Sequence, residues 1–84
     1  MNTATFLKTL TDMRGDARLY RMDPPFQNNE YVVVSAVNTY SGPETFIFAS
    51  DKNGRIDEWG ELDGSIAGEL DHAQALRNAG YAIA

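Results

Sequence analysis

The sequence contains no cysteine and only one histidine, His72. Without thiols the chain forms no disulfide and no thiolate metal site, and nothing indicates an oxidising compartment. A single imidazole supplies one ligand where a zinc site needs several. We therefore expect no metal and no cofactor. We interpret His72 as a solvent-exposed side chain beside the start of a helix.

Long apolar runs are also missing. The longest strictly apolar run covers residues 31–34, far short of the roughly 20 residues of a membrane-spanning helix. The first residues, MNTATFLKTLTDM, lack the charged start and the long apolar stretch of a signal peptide. A chain of 84 residues has the length of one small domain. The expectation is a single domain, residues 1–84, in the cytoplasm and without a membrane partner.

Basic residues are scarce in the second half of the chain. Residues 1–42 are neutral overall, so the whole net charge of −5 lies in residues 43–84. Six of the acids there follow one another without an intervening Lys or Arg: Asp57, Glu58, Glu61, Asp63, Glu69 and Asp71. Such a surface repels phosphates, so we expect no direct nucleic-acid contact and favour a partner with a basic surface. The alternative is that the acids only keep the protein soluble.

The apolar pattern at both ends of the chain is helical. Phe6, Leu10 and Met13 stand at i, i+4 and i+7, which predicts a helix over residues 3–14 that ends at Gly15. A second helix is predicted from Asp71 to Gly80. Its start has an N-cap acid with Gln three residues later, and its end has a glycine with an aromatic residue after it.

Between these helices the sequence predicts four strands. They cover residues 17–22, where Asp23-Pro24-Pro25 ends the strand, residues 30–37, residues 45–50 and residues 55–61. The order α-β-β-β-β-α is typical of a small α+β domain. We expect a mostly antiparallel sheet with the helices packed on one face.

The stretch DKNGRIDEWGELDG, residues 51–64, resembles a calcium loop in composition but not in spacing. Counted from Asp51, glycine comes two positions early and the twelfth position is Leu62 instead of glutamate. Asn53-Gly54 between two apolar runs instead indicates a hairpin with a two-residue type I′ turn. Counting outward from this turn places Phe48 opposite Trp59.

No catalytic constellation accompanies these acids. Ser65 lies outside a Gly-x-Ser-x-Gly motif, and Asp57 and Glu58 would point to opposite faces of a strand. The aromatic residues Tyr40, Trp59 and Tyr81 instead suggest an anchor set for a partner inside an acidic rim. The alternative for Trp59 is a core position against Phe48. The predicted contact set is Asp57, Glu58, Trp59, Glu61, Asp63 and Glu69.

Three stretches carry a likeness to known proteins: RGDARLYRMDP, YVVVSAVNTYSGPETFIFASDKNGRIDEWGEL and GELDHAQALRNAGY. They resemble a group of small accessory proteins encoded by actinobacterial phages. The resemblance covers most of the chain. It implies an accessory protein made inside the bacterial host cell, and it supplies no catalytic residues.

The leading hypothesis is a non-enzymatic protein that binds another protein through its acidic C-terminal half. Its sharper form is inhibition of a host nucleic-acid-handling protein, with carboxylates placed where phosphates would lie. The alternative is a small homo-oligomeric virion or assembly component. A small-molecule binder or minimal enzyme is the third hypothesis.

Overall fold

Most of the chain is β-structure in the computed structural model, which describes residues 2–84. Strands take 53% of the described residues and helix 8%, and the sheet curls into a half-barrel. The elements are β1 (Thr3–Leu10), β2 (Asp16–Phe26), β3 (Asn29–Thr39), β4 (Gly42–Ser50), β5 (Ile66–Ala67), α1 (His72–Asn78) and β6 (Ala82–Ile83). The predicted α+β domain, with its helices packed on one face of the sheet, is therefore wrong.

The six strands form one sheet in the order β5-β4-β3-β2-β1-β6. Neighbouring strands run antiparallel except β6, which lies parallel to β1 at one edge. We call the side of the sheet that carries α1 the helix face, and the opposite side the open face. Alternate residues of each strand contribute to the two faces, because side chains alternate along a strand.

Residues 3–10 form a strand where the sequence predicts a helix. The register of β1 against β2 shifts between Phe6 and Lys8, at a bulge that reverses which face the following residues point to. Phe6 lies opposite Tyr20 on the helix face, whereas Leu10 lies opposite Ala17 on the open face. Their i, i+4 spacing imitates a helical stripe, although the two side chains point to opposite faces of a sheet.

Strand β2 also runs further than predicted, through Pro24 and Pro25 to Phe26. Proline is tolerated there because the regular pairing with β3 stops at Arg21 and resumes only at Phe26. The pairing with β1 ends at Asp23. Neither ladder therefore needs an amide proton from the two prolines.

The predicted strands over residues 30–37 and 45–50 are confirmed as the neighbouring strands β3 and β4. Val32, Val33 and Val34 are all fully buried, as expected of a strand that is covered on both faces. Val32 and Val34 join the core of the helix face, while Val33 joins a smaller cluster on the open face. The hairpin closes through Tyr40 and Ser41.

The last helix is confirmed, with Asp71 as its N-cap and Gly80 after its end. The predicted capping box forms only in part, because the Asp71 amide donates to the Thr45 hydroxyl and not to the Gln74 side chain. The Asp71 carboxylate accepts a hydrogen bond from the Gln74 amide at 3.0 Å. Gly80 follows the helix at φ +94°, and the amide of Tyr81 donates to the carbonyl of Leu76 at 2.9 Å. Ala75 and Leu76 bury the inner side of α1 against the sheet core.

His72 is buried, and its interpretation as a solvent-exposed side chain is wrong. Packing of α1 on the sheet brings the first turn of the helix to the start of β2. There Nε2 of His72 donates to the backbone carbonyl of Asp16 at 2.7 Å. The histidine thus joins two elements that are distant in sequence.

The turn after β4 differs from the predicted type I′ turn. The amide of Gly54 donates to the carbonyl of Asp51, and the amide of Asp51 donates to the carbonyl of Arg55. Only Gly54 has positive φ, at +86°, so Lys52, Asn53 and Gly54 form a three-residue loop. Residues 55–60 form no strand; beyond them Glu61 makes a single bridge to Phe48.

The Asp51 side chain reinforces this turn. Its Oδ1 accepts hydrogen bonds from the amides of Asn53 and Arg55 at 2.8 and 2.9 Å. The Arg55 amide, followed by that of Asn53, lowers the pKa of the Asp51 carboxyl below its ordinary value.

Gly54→Ala is expected to lower the free energy of unfolding by about 1–2 kcal/mol, because alanine disfavours positive φ and its Cβ would lie 2.9 Å from Cδ2 of Leu10, the flexible end of a side chain. Asn53→Ala should change it by less than ~0.5 kcal/mol, since Asn53 does not adopt positive φ. Urea denaturation of both variants is the measurement. Equal losses at the two positions would contradict the three-residue loop and restore the type I′ turn.

Candidate binding groove on the open face

A groove with a volume of about 690 Å³ lies on the open face, at the end of the sheet where β3 turns into β4. Three parts of the chain form it: the strands as floor, the β1–β2 loop, and the segment after the Gly54 turn. Its lining is Met13, Arg14, Ser35, Val37, Asn38, Thr39, Tyr40, Phe46, Phe48 and Trp59. The volume falls within the usual size of a ligand site.

The floor follows from strand alternation. Val37 is paired with Glu44, Ser35 with Phe46, and Val33 with Phe48, so these side chains all point to the open face. The rings of Phe46 and Phe48 are 5.7 Å apart. Two neighbouring aromatic side chains thus remain on a face that has no helix over it.

Trp59 stands at the groove beside Phe48. Their ring centroids are 5.2 Å apart in an edge-to-face arrangement, so the two rings are in contact. The predicted pairing of Phe48 opposite Trp59 is wrong, because the bridge partner of Phe48 is Glu61. Trp59 nevertheless keeps 60% of its surface exposed, so it is not a core side chain. Residues 55–60 lie outside the sheet, so the argument that Asp57 and Glu58 alternate across a strand does not apply.

The other two predicted aromatic anchors have opposite outcomes. Tyr40 is fully exposed at the tip of the β3–β4 hairpin and lines the groove. Tyr81 is buried, and its hydroxyl donates to the carbonyl of Pro24 at 2.6 Å. Burial, followed by the nearby charge of Asp23, raises the pKa of Tyr81. Tyr81 is therefore part of the core and not of the anchor set.

The β1–β2 loop supplies the one charged residue of the groove lining, Arg14. The loop is held to β3, because the Ser35 hydroxyl donates to the carbonyl of Arg14 at 3.4 Å. The Arg14 side chain is exposed, and among residues 2–84 the structure gives it no ion pair. Its guanidinium therefore lines the groove without a carboxylate partner from this part of the chain.

The predicted acidic contact residues divide into two groups. Glu61 is the bridge partner of Phe48 and therefore borders the groove floor, whereas Glu58 lies with Asp57 beside Asn29 and Ser50, at the other end of the β3–β4 hairpin. Asp57 is exposed and lies 3.4 Å from Arg55. Asp63 accepts a hydrogen bond from Gln27 at 2.7 Å. Glu69 lies beyond β5, where its carbonyl accepts from Thr45. The acids are thus spread over several parts of the surface and do not form a single cluster.

Within residues 2–84, no group of three or more His, Asp or Glu side chains is placed to hold a metal ion. The same part of the chain has no helix that is long and apolar enough to span a membrane.

Arg14, Val37 and Phe46 were missed as groove residues at the level of sequence. Alternation in Val33-Ser35-Val37 and Glu44-Phe46-Phe48 is the signal that could have placed the floor. Arg14 had no such signal, because its loop was assigned to the end of a helix.

Comparison of the chain with protein-family models, with curated proteins and with solved structures finds no match. The groove and its charges are therefore the basis for any functional assignment.

Proposed function

We propose that this chain is a non-enzymatic binding protein that contacts another protein through the groove and the acids beside it. The observation that carries the proposal is the exposed aromatic surface of Tyr40 and Trp59, which line the groove beside the half-buried rings of Phe46 and Phe48. Contiguous exposed apolar surface with a polar border is typical of interaction sites. Aromatic side chains of this kind commonly dominate binding energy.

The charges support a partner with a basic surface. Glu61 borders the groove beside Phe48, Glu58 is exposed in the same segment, and the second half of the chain carries the entire net charge of −5. Nucleic-acid-handling proteins of a bacterial host have such basic surfaces. With the resemblance to phage accessory proteins, this favours inhibition of a host protein of that class in the host cytoplasm.

A homo-oligomeric virion or assembly component is the second candidate, and one observation favours it. Strand β6 pairs only with Thr3 and Ala4, so the rest of β1 is an edge beside the exposed side chains of Phe6, Leu7 and Ile83. Unprotected edges invite pairing with another chain. A monomeric mass at all concentrations in sedimentation equilibrium would remove this candidate.

Neutralising the acids tests the leading proposal. Partners captured from an actinobacterial host lysate are identified by mass spectrometry and then titrated singly. The combined variant Glu58→Gln, Glu61→Gln and Asp63→Asn should bind its partner about tenfold more weakly at low salt, mainly through a slower association rate. The salt dependence of binding should also decrease, because fewer opposite charges are screened.

The matched control changes net charge equally but elsewhere. Asn2→Lys, Thr9→Lys and Asn78→Lys add three positive charges at exposed positions that do not line the groove. This control should bind nearly as the unchanged chain does. If both variants lose the same affinity, net charge alone controls binding, and the contact surface assigned to the acids is wrong.

A further inference from the structure

The groove lining carries one charge, Arg14, and Glu61 lies next to the groove beyond Phe48. Glu44, which is paired with Val37 on the same face, already accepts a hydrogen bond from the Thr39 hydroxyl at 2.7 Å. The β1–β2 loop places Arg14 over β3, to which its carbonyl is hydrogen-bonded through Ser35. Glu61 lies one strand position beyond β4, as the bridge partner of Phe48. Phe46 and Phe48 of β4 lie between them. A ligand that crosses the groove from β3 to the β5 side therefore meets a cation, an aromatic floor and then an anion.

On the basis of the proposed function, we propose that the groove binds the C-terminal tail of the partner protein. The terminal carboxylate pairs with Arg14, the last side chain is apolar and packs on Phe46 and Phe48, and a Lys or Arg upstream faces Glu61. A guanidinium binds a carboxylate with paired, charge-assisted hydrogen bonds. The peptide carboxylate thus supplies Arg14 with the ion pair that it lacks within residues 2–84.

Two features favour a chain end over other occupants. The groove is open to solvent beside the exposed rings of Tyr40 and Trp59, so a polypeptide can leave it without obstruction. A small apolar acid would satisfy Arg14 but would leave Glu61 without an opposite charge. A peptide terminus joins a carboxylate, an apolar side chain and an upstream basic residue in one ligand.

The spacing of the strands sets the expected peptide. Arg14 is held level with Phe46 and Glu61 is level with Phe48, so the two are separated by two inter-strand distances of about 4.8 Å each and by about two residues along the strands. This separation of about 12 Å corresponds to roughly three to four residues of an extended peptide, which advances about 3.3 Å per residue. The basic residue should therefore stand roughly three or four positions before the terminal apolar residue. The minimal probe is the acetylated tetrapeptide Lys-Ser-Ser-Leu with a free carboxylate.

Trp59 is the only tryptophan and lines the groove, so its fluorescence reports occupancy directly. Titration with the free-acid peptide should change the emission of Trp59. The same peptide with a C-terminal amide should bind about tenfold more weakly, because a charge-assisted pair is lost. Arg14→Gln should weaken the free acid equally and should abolish the difference between acid and amide.

Arg21→Gln is the matched control. Arg21 is an exposed arginine, as Arg14 is. It belongs to β2, lies opposite Tyr31 and does not line the groove. This variant should keep the full preference for the free acid. In a third arm, replacing the peptide lysine by serine should weaken binding to the unchanged chain but not to Glu61→Gln.

The outcomes separate the two proposals. Equal binding of acid and amide, or absence of any response up to about 1 mM peptide, overturns the assignment of a C-terminal tail. If acid and amide bind equally but the peptide lysine still strengthens binding through Glu61, the proposed function remains, and the partner contributes an internal basic segment instead of its C-terminus. Decanoate is an apolar carboxylate without a peptide chain. If it binds as tightly as the peptide, the groove is a small-molecule site instead.

Discussion

Leu76→Ala is expected to lower the free energy of unfolding by about 2–5 kcal/mol, as for other fully buried leucines. Leu76 has no exposed surface and packs in the core of the helix face with Val34 and Ile47. A domain of 84 residues has a total stability of roughly 4–13 kcal/mol. Loss of this one side chain therefore removes a large share of the stability.

The matched control is Leu70→Ala. Leu70 precedes the same helix but keeps 49% of its surface exposed, so its replacement should cost well under ~1 kcal/mol. Urea denaturation followed by far-ultraviolet circular dichroism measures both variants. Similar losses for the two leucines would mean that α1 does not cover the sheet as described.

The elements that sequence reasoning predicted correctly are those with local signals. The helix α1 has both of its caps within its own sequence, from Asp71 to Gly80. The central strand has a run of β-branched residues that suits burial on two faces. Neither prediction required knowledge of a distant partner.

Strand β1 could not be predicted in this way, because its pattern depends on a bulge. The shift after Phe6 makes the apolar residues of one strand appear at helical spacing. The threonines at positions 3, 5 and 9 are the opposing signal, since β-branched residues favour strands. Only pairing with β2, which sequence alone does not show, decides between the two.

The candidate site was predicted in part for the same reason. Trp59, Tyr40 and the acids were recognisable as unusual residues, and the rings of Phe48 and Trp59 do meet, although the pairing counted from the turn is wrong. The position of Arg14 depends on a loop folding back over β3, which is a long-range contact. His72 was misplaced because its partner, the carbonyl of Asp16, is distant in sequence.

Gly15 is the residue that fixes the Arg14 side of the groove. It adopts φ +74°, and a Cβ atom there would lie 2.5 Å from the carbonyl oxygen of Ala36 and 2.7 Å from Cβ of Val37. Both obstacles belong to β3 and not to the end of a flexible side chain. Substitution therefore meets backbone strain and a steric overlap at once.

Gly15→Ala is expected to lower the free energy of unfolding by about 2–4 kcal/mol, the sum of a positive-φ cost and an overpacking cost. Gly80→Ala is the control, because Gly80 has φ +94° with no atom near its missing Cβ. It should lose only about 1 kcal/mol. Thermal and urea denaturation measure both losses of stability, and the difference between them is the cost of the steric overlap.

Because relief of the overlap requires the loop to move away from β3, Gly15→Ala should also weaken binding of the free-acid peptide, whereas Gly80→Ala should not. Equal stability of the two variants would show that the β1–β2 loop does not approach β3, and the Arg14 side of the groove would then be misplaced.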